Sequence, residues 1–117
     1  MSDLNQKTCE ACRPDAPKAT NDEINSFLSS YSNWTLLDDG GIQKLQQVYS
    51  FENFETALAF TNAIGGVAED EGHHPALLTE WGKVTVTWWS HKIKGLHVND
   101  FIMCAKCDSA YSLAKTA

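Results

Sequence analysis

Two short glycine-containing segments, each between strand-like runs, most restrict how this chain can fold. Asp-Asp-Gly-Gly at 38–41 separates residues 34–37 from 42–51, and Gly82 lies between a run that begins at Leu77 and the run at 84–91. The glycines at 40 and 41 can take the positive φ values that a reversal between strands requires, and Gly82 marks a second tight turn. The sequence therefore predicts two hairpins and, with them, an antiparallel sheet.

Helical periodicity predicts three helices around these hairpins, with N-caps at Thr20, Asn53 and Asn99. Thr20 and Glu23 also have the spacing of a capping box. The predicted inward stripes are Ile24, Phe27, Leu28 and Tyr31 in the first helix, Phe54, Ala57, Leu58, Thr61 and Ile64 in the second, and Ile102, Ala105 and Leu113 in the third. We therefore expect an α+β fold, a four-stranded antiparallel sheet with three helices packed on one face.

The end of the second helix is marked by Gly72, which suits a left-handed cap, and by Pro75, which biases His74 away from helical geometry. We expect Glu69 in the last turn to lie close to His73, with His74 pointing elsewhere. The paired glycines at 65–66 predict either close approach by a neighbour or weakened helicity.

The run at 84–91 alternates between two faces, as a strand with one buried face does. Val84, Val86 and Trp88 share the apolar face, whereas Trp89 and His91 share the more polar one with two threonines. We expect the apolar face to lie under the helices and the other to border a cleft. Trp89 on that face could line the cleft or an interface, and His97, further along, is expected at the surface.

Residues 1–19 are mostly polar and predict a flexible N-terminal arm, so that residues 20–117 form a single domain. The net charge of −6 disfavours direct nucleic-acid binding. The N-terminus lacks a secretory signal, and no apolar stretch reaches membrane-spanning length. We therefore expect a cytoplasmic protein without membrane contact.

The four cysteines form two CxxC pairs, one at Cys9 and Cys12 and the other at Cys104 and Cys107. Together they could supply four thiolates to zinc, although a zinc ribbon places its pairs only about 15 to 20 residues apart. The alternative is a pair in the arm and a pair packed in the last helix as small apolar side chains.

Three of the four histidines fall in the ordered pattern Glu69-x3-His73-His74-Pro75-x5-Trp81-x9-His91-x8-Asp100. Imidazole titrates near neutrality, so imidazoles flanked by carboxylates suggest proton transfer or metal binding. The histidines could instead be packing or surface residues. Adjacent histidines do not readily present two nitrogens to one ion, so the pattern favours metal-free acid-base chemistry over zinc or iron binding.

This pattern resembles the signature of the pterin-4a-carbinolamine dehydratases, over about residues 20 to 115. Residues 80–91 and the Cys-Glu-Ala-Cys run at 9–12 look especially like bacterial members associated with phenylalanine hydroxylase. The resemblance implies removal of water from a 4a-hydroxytetrahydropterin to give a quinonoid dihydropterin. That reaction would recycle the pterin cofactor of aromatic amino acid hydroxylation, and the enzyme would need no cofactor because the pterin is its substrate.

The resemblance also implies roles for individual residues. His73 and His91 would form the acid-base pair at the 4a-hydroxyl, and His74 would contact the ring and share in proton transfer. Glu69 and Asp100 would orient the imidazoles. The remaining substrate-binding candidates in the pattern are Pro75 and Trp81, although a tryptophan in a sheet is more often packing.

Relatives of this kind form homodimers or homotetramers, so the resemblance implies self-association, together with a functional link to an aromatic amino acid hydroxylase.

Two other functions remain open. Some animal relatives bind a dimeric transcription factor as coactivators, and a pterin-binding role in molybdopterin metabolism would keep the pocket with a different substrate.

Overall fold

A computed structural model describes residues 4–7 and 16–116. They form a 3₁₀ turn at Leu4–Gln6 followed by three α-helices and four β-strands. In chain order the elements are α1 (Asn21–Ser30), β1 (Thr35–Asp39), β2 (Ile42–Ser50), α2 (Phe54–Glu71), β3 (Ala76–Glu80), β4 (Lys83–Trp88) and α3 (Val98–Thr116). The predicted element order and the α+β class are confirmed.

The four strands form one antiparallel sheet in the order β1-β2-β4-β3. Both predicted hairpins are present, and Gly40 and Gly41 have φ values of 61° and 91°, which explains the choice of glycine there. Because β4 lies between β2 and β3, α2 carries the chain from β2 past the later position of β4 to the edge strand β3. β4 then returns to pair with both strands, so its end lies in the middle of the sheet.

The core lies between one face of the sheet and the helices. Val84, Val86 and Trp88 are fully buried on β4, as their alternation predicted, and Leu45 and Tyr49 are buried on β2. α2 and α3 pack on this face, while α1 contributes through Phe27, whose ring stacks on Phe101 of α3 at 4.8 Å. α1 therefore adds Ile24 and Phe27 to the core, and Phe27 contacts α3.

The helix boundaries confirm two of the predicted caps. The Thr20 hydroxyl accepts from the Glu23 backbone N–H at 3.1 Å, and the Glu23 carboxylate accepts from the Thr20 N–H at 2.8 Å. Asn53 caps α2 through the backbone N–H of Thr56. The predicted N-cap at Asn99 is wrong. α3 begins at Val98, so the residue before it is His97, two positions earlier than predicted, and Asn99 lies inside the helix.

The α2 helix is continuous through the paired glycines, and a Cβ at either would meet no atom within 4 Å. The expectation of close approach or weakened helicity is therefore wrong. The predicted stripe is also partly wrong, because Phe54 and Leu58 are exposed. Ala57 and Ile64 are buried as predicted, and the helix also buries Phe60 and Ala68. In α3, Ile102 and Ala105 are buried as predicted, whereas Leu113 is 71 % exposed.

Of the predicted arm, the described residues at 4–6 contact α3. Leu4 is buried, the Asn5 side-chain amide donates to the Ser109 hydroxyl at 2.8 Å, and Lys106 donates to the Asn5 carbonyl. These contacts hold the 3₁₀ turn against α3. Residues 1–3 and 8–15, which include Cys9 and Cys12, lie outside the described residues.

Cys104 and Cys107 are free thiols buried in α3, in agreement with their prediction as small apolar packing groups. Burial raises the pKa of the Cys107 thiol to about 12. Among the residues described, no helix is long and apolar enough to cross a membrane.

Candidate active site

The centre of the candidate site is a buried pair formed by His73, just after α2, and Asp100, in the first turn of α3. His73 Nε2 lies 2.7 Å from Asp100 Oδ1, and both side chains are almost completely buried. The His73 ring also lies parallel to Trp88, with 5.6 Å between ring centroids. The imidazole is thus held in position and orientation from two sides.

Asp100 accepts two further hydrogen bonds through Oδ2. One comes from the Ser90 hydroxyl at 2.8 Å and the other from the backbone N–H of His97 at 2.9 Å. A carboxylate that already accepts from two donors is an acceptor toward Nε2 as well, so in the neutral imidazole of His73 the hydrogen lies on Nε2 and the lone pair on Nδ1. Asp100 therefore fixes the tautomer of His73 as well as its position.

His97 is buried, so its prediction as a surface residue is wrong. Its Nδ1 accepts from the backbone N–H of Asn99 at 3.0 Å, in the first turn of α3. His97 directly precedes α3, so its imidazole satisfies a free backbone N–H of the first turn, a kind of role that had been expected of the Asn99 side chain. Ser90 was also missed, although its position on the apolar face of the 84–91 run is a signal, since a buried hydroxyl requires a partner.

The second imidazole, His74, pairs with Glu69, and this overturns the expected pairing of Glu69 with His73. His74 Nε2 lies 2.7 Å from Glu69 Oε1, in a pair that is mostly exposed. The geometry follows from Gly72, whose φ of 65° ends α2 and lets the next two residues diverge. His73 turns inward to α3, while His74 turns back along the last turn of α2.

The third imidazole, His91, comes from the segment after β4 and is exposed. Its ring stacks on Trp89, with centroids 4.4 Å apart and planes 14° from parallel. Trp89 therefore lies beside the site, as the alternation of the strand suggested.

All three imidazoles of the pattern line one open cavity of about 370 Å³, together with Gly72 and Lys92. This volume is in the range of small-molecule sites. Lys92 places a cation at the cavity and was not predicted. The site thus combines two carboxylate-paired imidazoles and a third that stacks on an indole, all within reach of one bound molecule.

Trp81 and Pro75 do not line this cavity. Trp81 is 71 % exposed and lies in the turn between β3 and β4, at the opposite end of β4 from His91. Among the described residues of this single chain, Trp81 neither borders this cavity nor packs in the core, so a part for it in substrate binding stays a prediction. Pro75 is half-buried and leads from His74 into β3.

Within residues 4–7 and 16–116, no group of three or more histidine, cysteine or acidic side chains is arranged to hold a metal ion. Behind the site, the Trp88 indole donates to Cys107 Sγ at 3.3 Å. Because burial raises the pKa of this thiol to about 12, it is neutral near pH 7 and serves as a packing group.

A family model described as pterin 4 alpha carbinolamine dehydratase matches residues 17–110. Among solved structures, a transcriptional coactivator/pterin dehydratase from Brucella melitensis is similar with a TM-score of 0.75 and 26 % sequence identity, over 81 % of this chain and 99 % of that one. A pterin dehydratase-like protein identified as a RuBisCO assembly factor in the alpha-carboxysome has a TM-score of 0.57 and 19 % identity, over 68 % of this chain and 89 % of that one. The second likeness concerns the fold alone.

Proposed function

Since this chain belongs to the pterin 4 alpha carbinolamine dehydratase family, we propose that it removes water from a 4a-hydroxytetrahydropterin. The observation that carries this proposal is the convergence of His73, His74 and His91 on one cavity. Two of these imidazoles are held by carboxylates at 2.7 Å, which prepares them for proton transfer.

The reaction needs two proton transfers and no redox step. A proton is delivered to the 4a-hydroxyl, the C4a–O bond breaks and water leaves. The N5–H proton is then taken up while the N5 electron pair forms the double bond to C4a, giving the quinonoid dihydropterin. Imidazole can perform both transfers near pH 7, because its neutral and charged forms are both accessible there.

The geometry favours a division of labour among the three imidazoles. His73, whose Nε2 hydrogen is committed to Asp100, presents Nδ1 as a proton acceptor. His91 is exposed at the cavity and can exchange protons with substrate and solvent. His74, held by Glu69, is placed to contact the ring and share in proton transfer. Glu69 and Asp100 act on the substrate through the imidazoles that they hold.

A turnover assay with enzymatically generated 4a-hydroxytetrahydropterin tests the proposal. His91→Ala should lower kcat by about 10²- to 10⁴-fold, the usual contribution of a general acid or base, with an unchanged circular dichroism spectrum. Lys83→Ala, an exposed and ion-paired residue at the other end of β4, should retain the wild-type rate. Prior treatment with a chelator should leave turnover unchanged. An inactive wild-type protein, or a fully active His91→Ala variant, would refute the proposal.

We further propose that the physiological role is recycling of the pterin used by an aromatic amino acid hydroxylase, in a homo-oligomer. Among the residues that the structure describes, the edge strands β1 and β3 each pair with a strand on one side only, which suits pairing with a second copy. Light scattering after size-exclusion chromatography should give a mass of at least twice 13.0 kDa. A monomer would contradict the proposed self-association.

The recycling role has its own test. Adding the protein to an aromatic amino acid hydroxylase with limiting pterin should raise product formation, and an absent stimulation would contradict that role.

A protein-binding role is the second candidate, supported by the coactivator named in the Brucella melitensis structure. The sheet face away from the helices carries two exposed apolar side chains, Val48 and Leu78, in the cross-strand row that Thr85 completes. His91→Ala distinguishes the two functions, because a pure binding protein should keep its partner while an enzyme loses turnover.

A further inference from the structure

Trp89 stands where the sheet meets the candidate site. The last pair in the register of β2 and β4 is Leu45 with Trp88. The next residues along the two strands, Lys44 and Trp89, therefore lie side by side, on the face away from the helices. Trp89 is half-buried, and the 84–91 alternation puts it on the same face as His91.

The indole of Trp89 makes two contacts that link the sheet to the cavity. The His91 ring stacks on it with centroids 4.4 Å apart, and the Lys44 ammonium lies over it at 3.9 Å from the ring centroid. Stacked rings and a cation over an indole are both attractive, and the cation contact strengthens when the charge is shielded from water.

Lys44 is itself held in place. Its side chain is only 15 % exposed, and its ammonium donates to Asp39 Oδ2 at 2.8 Å, across the first hairpin. The same hydrogen bond holds the pKa of Asp39 below its usual value, so the carboxylate stays charged at neutral pH. A chain of contacts thus runs from Asp39 through Lys44 and Trp89 to His91.

His91 differs in this respect from the other two imidazoles. His73 and His74 are each held by a carboxylate at 2.7 Å, whereas His91 has no hydrogen bond to any of the residues described here. The position of its ring therefore depends on stacking. A tryptophan that was itself free to rotate would leave the His91 ring without a fixed orientation.

We infer that Lys44 and Trp89 are positioning residues that hold the His91 ring toward the bound pterin. This inference rests on the proposed function, because His91 is catalytic only if that function is correct. Neither residue needs to touch the reacting atoms. Lys44 fixes the indole, and the indole fixes the imidazole.

The test combines kinetics with NMR of the His91 ring protons in the ligand-free protein. Lys44→Met removes the charge and keeps most of the stem, so kcat should fall about three- to fivefold while KM changes less. Lys44→Arg should restore kcat, since a guanidinium also pairs with a carboxylate and stacks on indole. Lys83→Met is the matched control, because it removes another ion-paired lysine from the same sheet and should leave kcat unchanged.

The NMR readout separates positioning from a general effect on the fold. The ring current of Trp89 should shift the His91 ring protons upfield, and Trp89→Leu should abolish that shift. Lys44→Met should move the same resonances part of the way, whereas Lys44→Arg and Lys83→Met should not. Unchanged His91 resonances in Lys44→Met, or a kcat that Lys44→Arg does not restore, would overturn the inference. If the resonances respond but the wild type has no dehydratase activity, the proposed function fails and the positioning contact stands.

Discussion

At the scale of single residues, Asp100 is the group on which the site depends most. It is completely buried and accepts from His73 Nε2, which follows α2, and from the Ser90 hydroxyl and the His97 backbone N–H, which both lie in the segment between β4 and α3. A carboxylate has enough lone pairs for all three donors. Glu69, the other carboxylate of the site, holds His74 in an exposed pair that water can replace.

Asp100→Asn and Glu69→Gln should therefore have very different effects. An amide at 100 offers a single acceptor oxygen, so at least one buried donor loses its partner at a cost of about 1–3 kcal/mol in stability. An amide also no longer forces the hydrogen of the His73 imidazole onto Nε2, so kcat should fall about 10- to 1,000-fold. Glu69→Gln should lower kcat less than about fivefold and leave stability unchanged. Urea unfolding and turnover of the two variants check this, and equal losses of activity would contradict the assignment.

At the scale of elements, α2 places two histidines by the way it ends. The helix continues through Gly65 and Gly66 to Glu71, and Gly72 stops it with a positive φ. The interior glycines have no close neighbour where a Cβ would lie, whereas Gly72 has a backbone conformation that other residues adopt only with strain. The backbone therefore favours glycine at position 72, whereas positions 65 and 66 have no such requirement.

Two alanine substitutions in α2 should shift stability in opposite directions. Gly66→Ala should stabilise the protein by about 0.5–1 kcal/mol, because alanine loses less backbone entropy in a helix and the added methyl meets open space. Gly72→Ala should destabilise it by about 1–2 kcal/mol through left-handed strain. It should also lower turnover, since His73 and His74 follow directly. Thermal unfolding measures both, and destabilisation by Gly66→Ala would instead indicate a neighbour on that face.

At the scale of the whole molecule, α3 connects the site to the core. Its first turn carries Asp100, its centre buries Cys104 and Cys107 against the sheet, and further along Asp108 accepts from the Tyr49 hydroxyl at 2.6 Å. Burial raises the pKa of both thiols and of Tyr49. The folded state therefore keeps these groups neutral at a pH where the unfolded chain ionises them.

This difference predicts a loss of stability in alkali. For Cys107, the folded pKa of about 12 lies above the unfolded value, so the stabilisation is complete below about pH 8.5 and declines as pH rises toward 12. Each such thiol contributes a slope of up to about 1.4 kcal/mol per pH unit. Urea unfolding between pH 7.5 and 10.5 should show this decline. Cys107→Ala should lower stability at pH 7.5 and flatten the pH dependence, and an unchanged slope would contradict the burial of this thiol.

The sequence by itself determined what depends on neighbours along the chain. The reversal at Gly40 and Gly41, the caps at Thr20 and Asn53, and the alternation of 84–88 each follow from preferences within a few residues, and each is confirmed. The ordered histidine pattern identified the family for the same reason, since its spacings reflect element lengths. Local steric and hydrogen-bonding preferences are sufficient for features of this kind.

Only the tertiary structure decided which groups meet across the chain. The pairing of His73 with Asp100, the burial of His97, and the contact of Lys44 with Trp89 join segments that are packed together by the sheet and α3. Trp81 shows the converse, because its place in the pattern suggested a part in binding and the hairpin carries it to the far end of β4. Spacing along the sequence cannot reveal such contacts, since side-chain direction at a helix end or strand end depends on the elements packed against it.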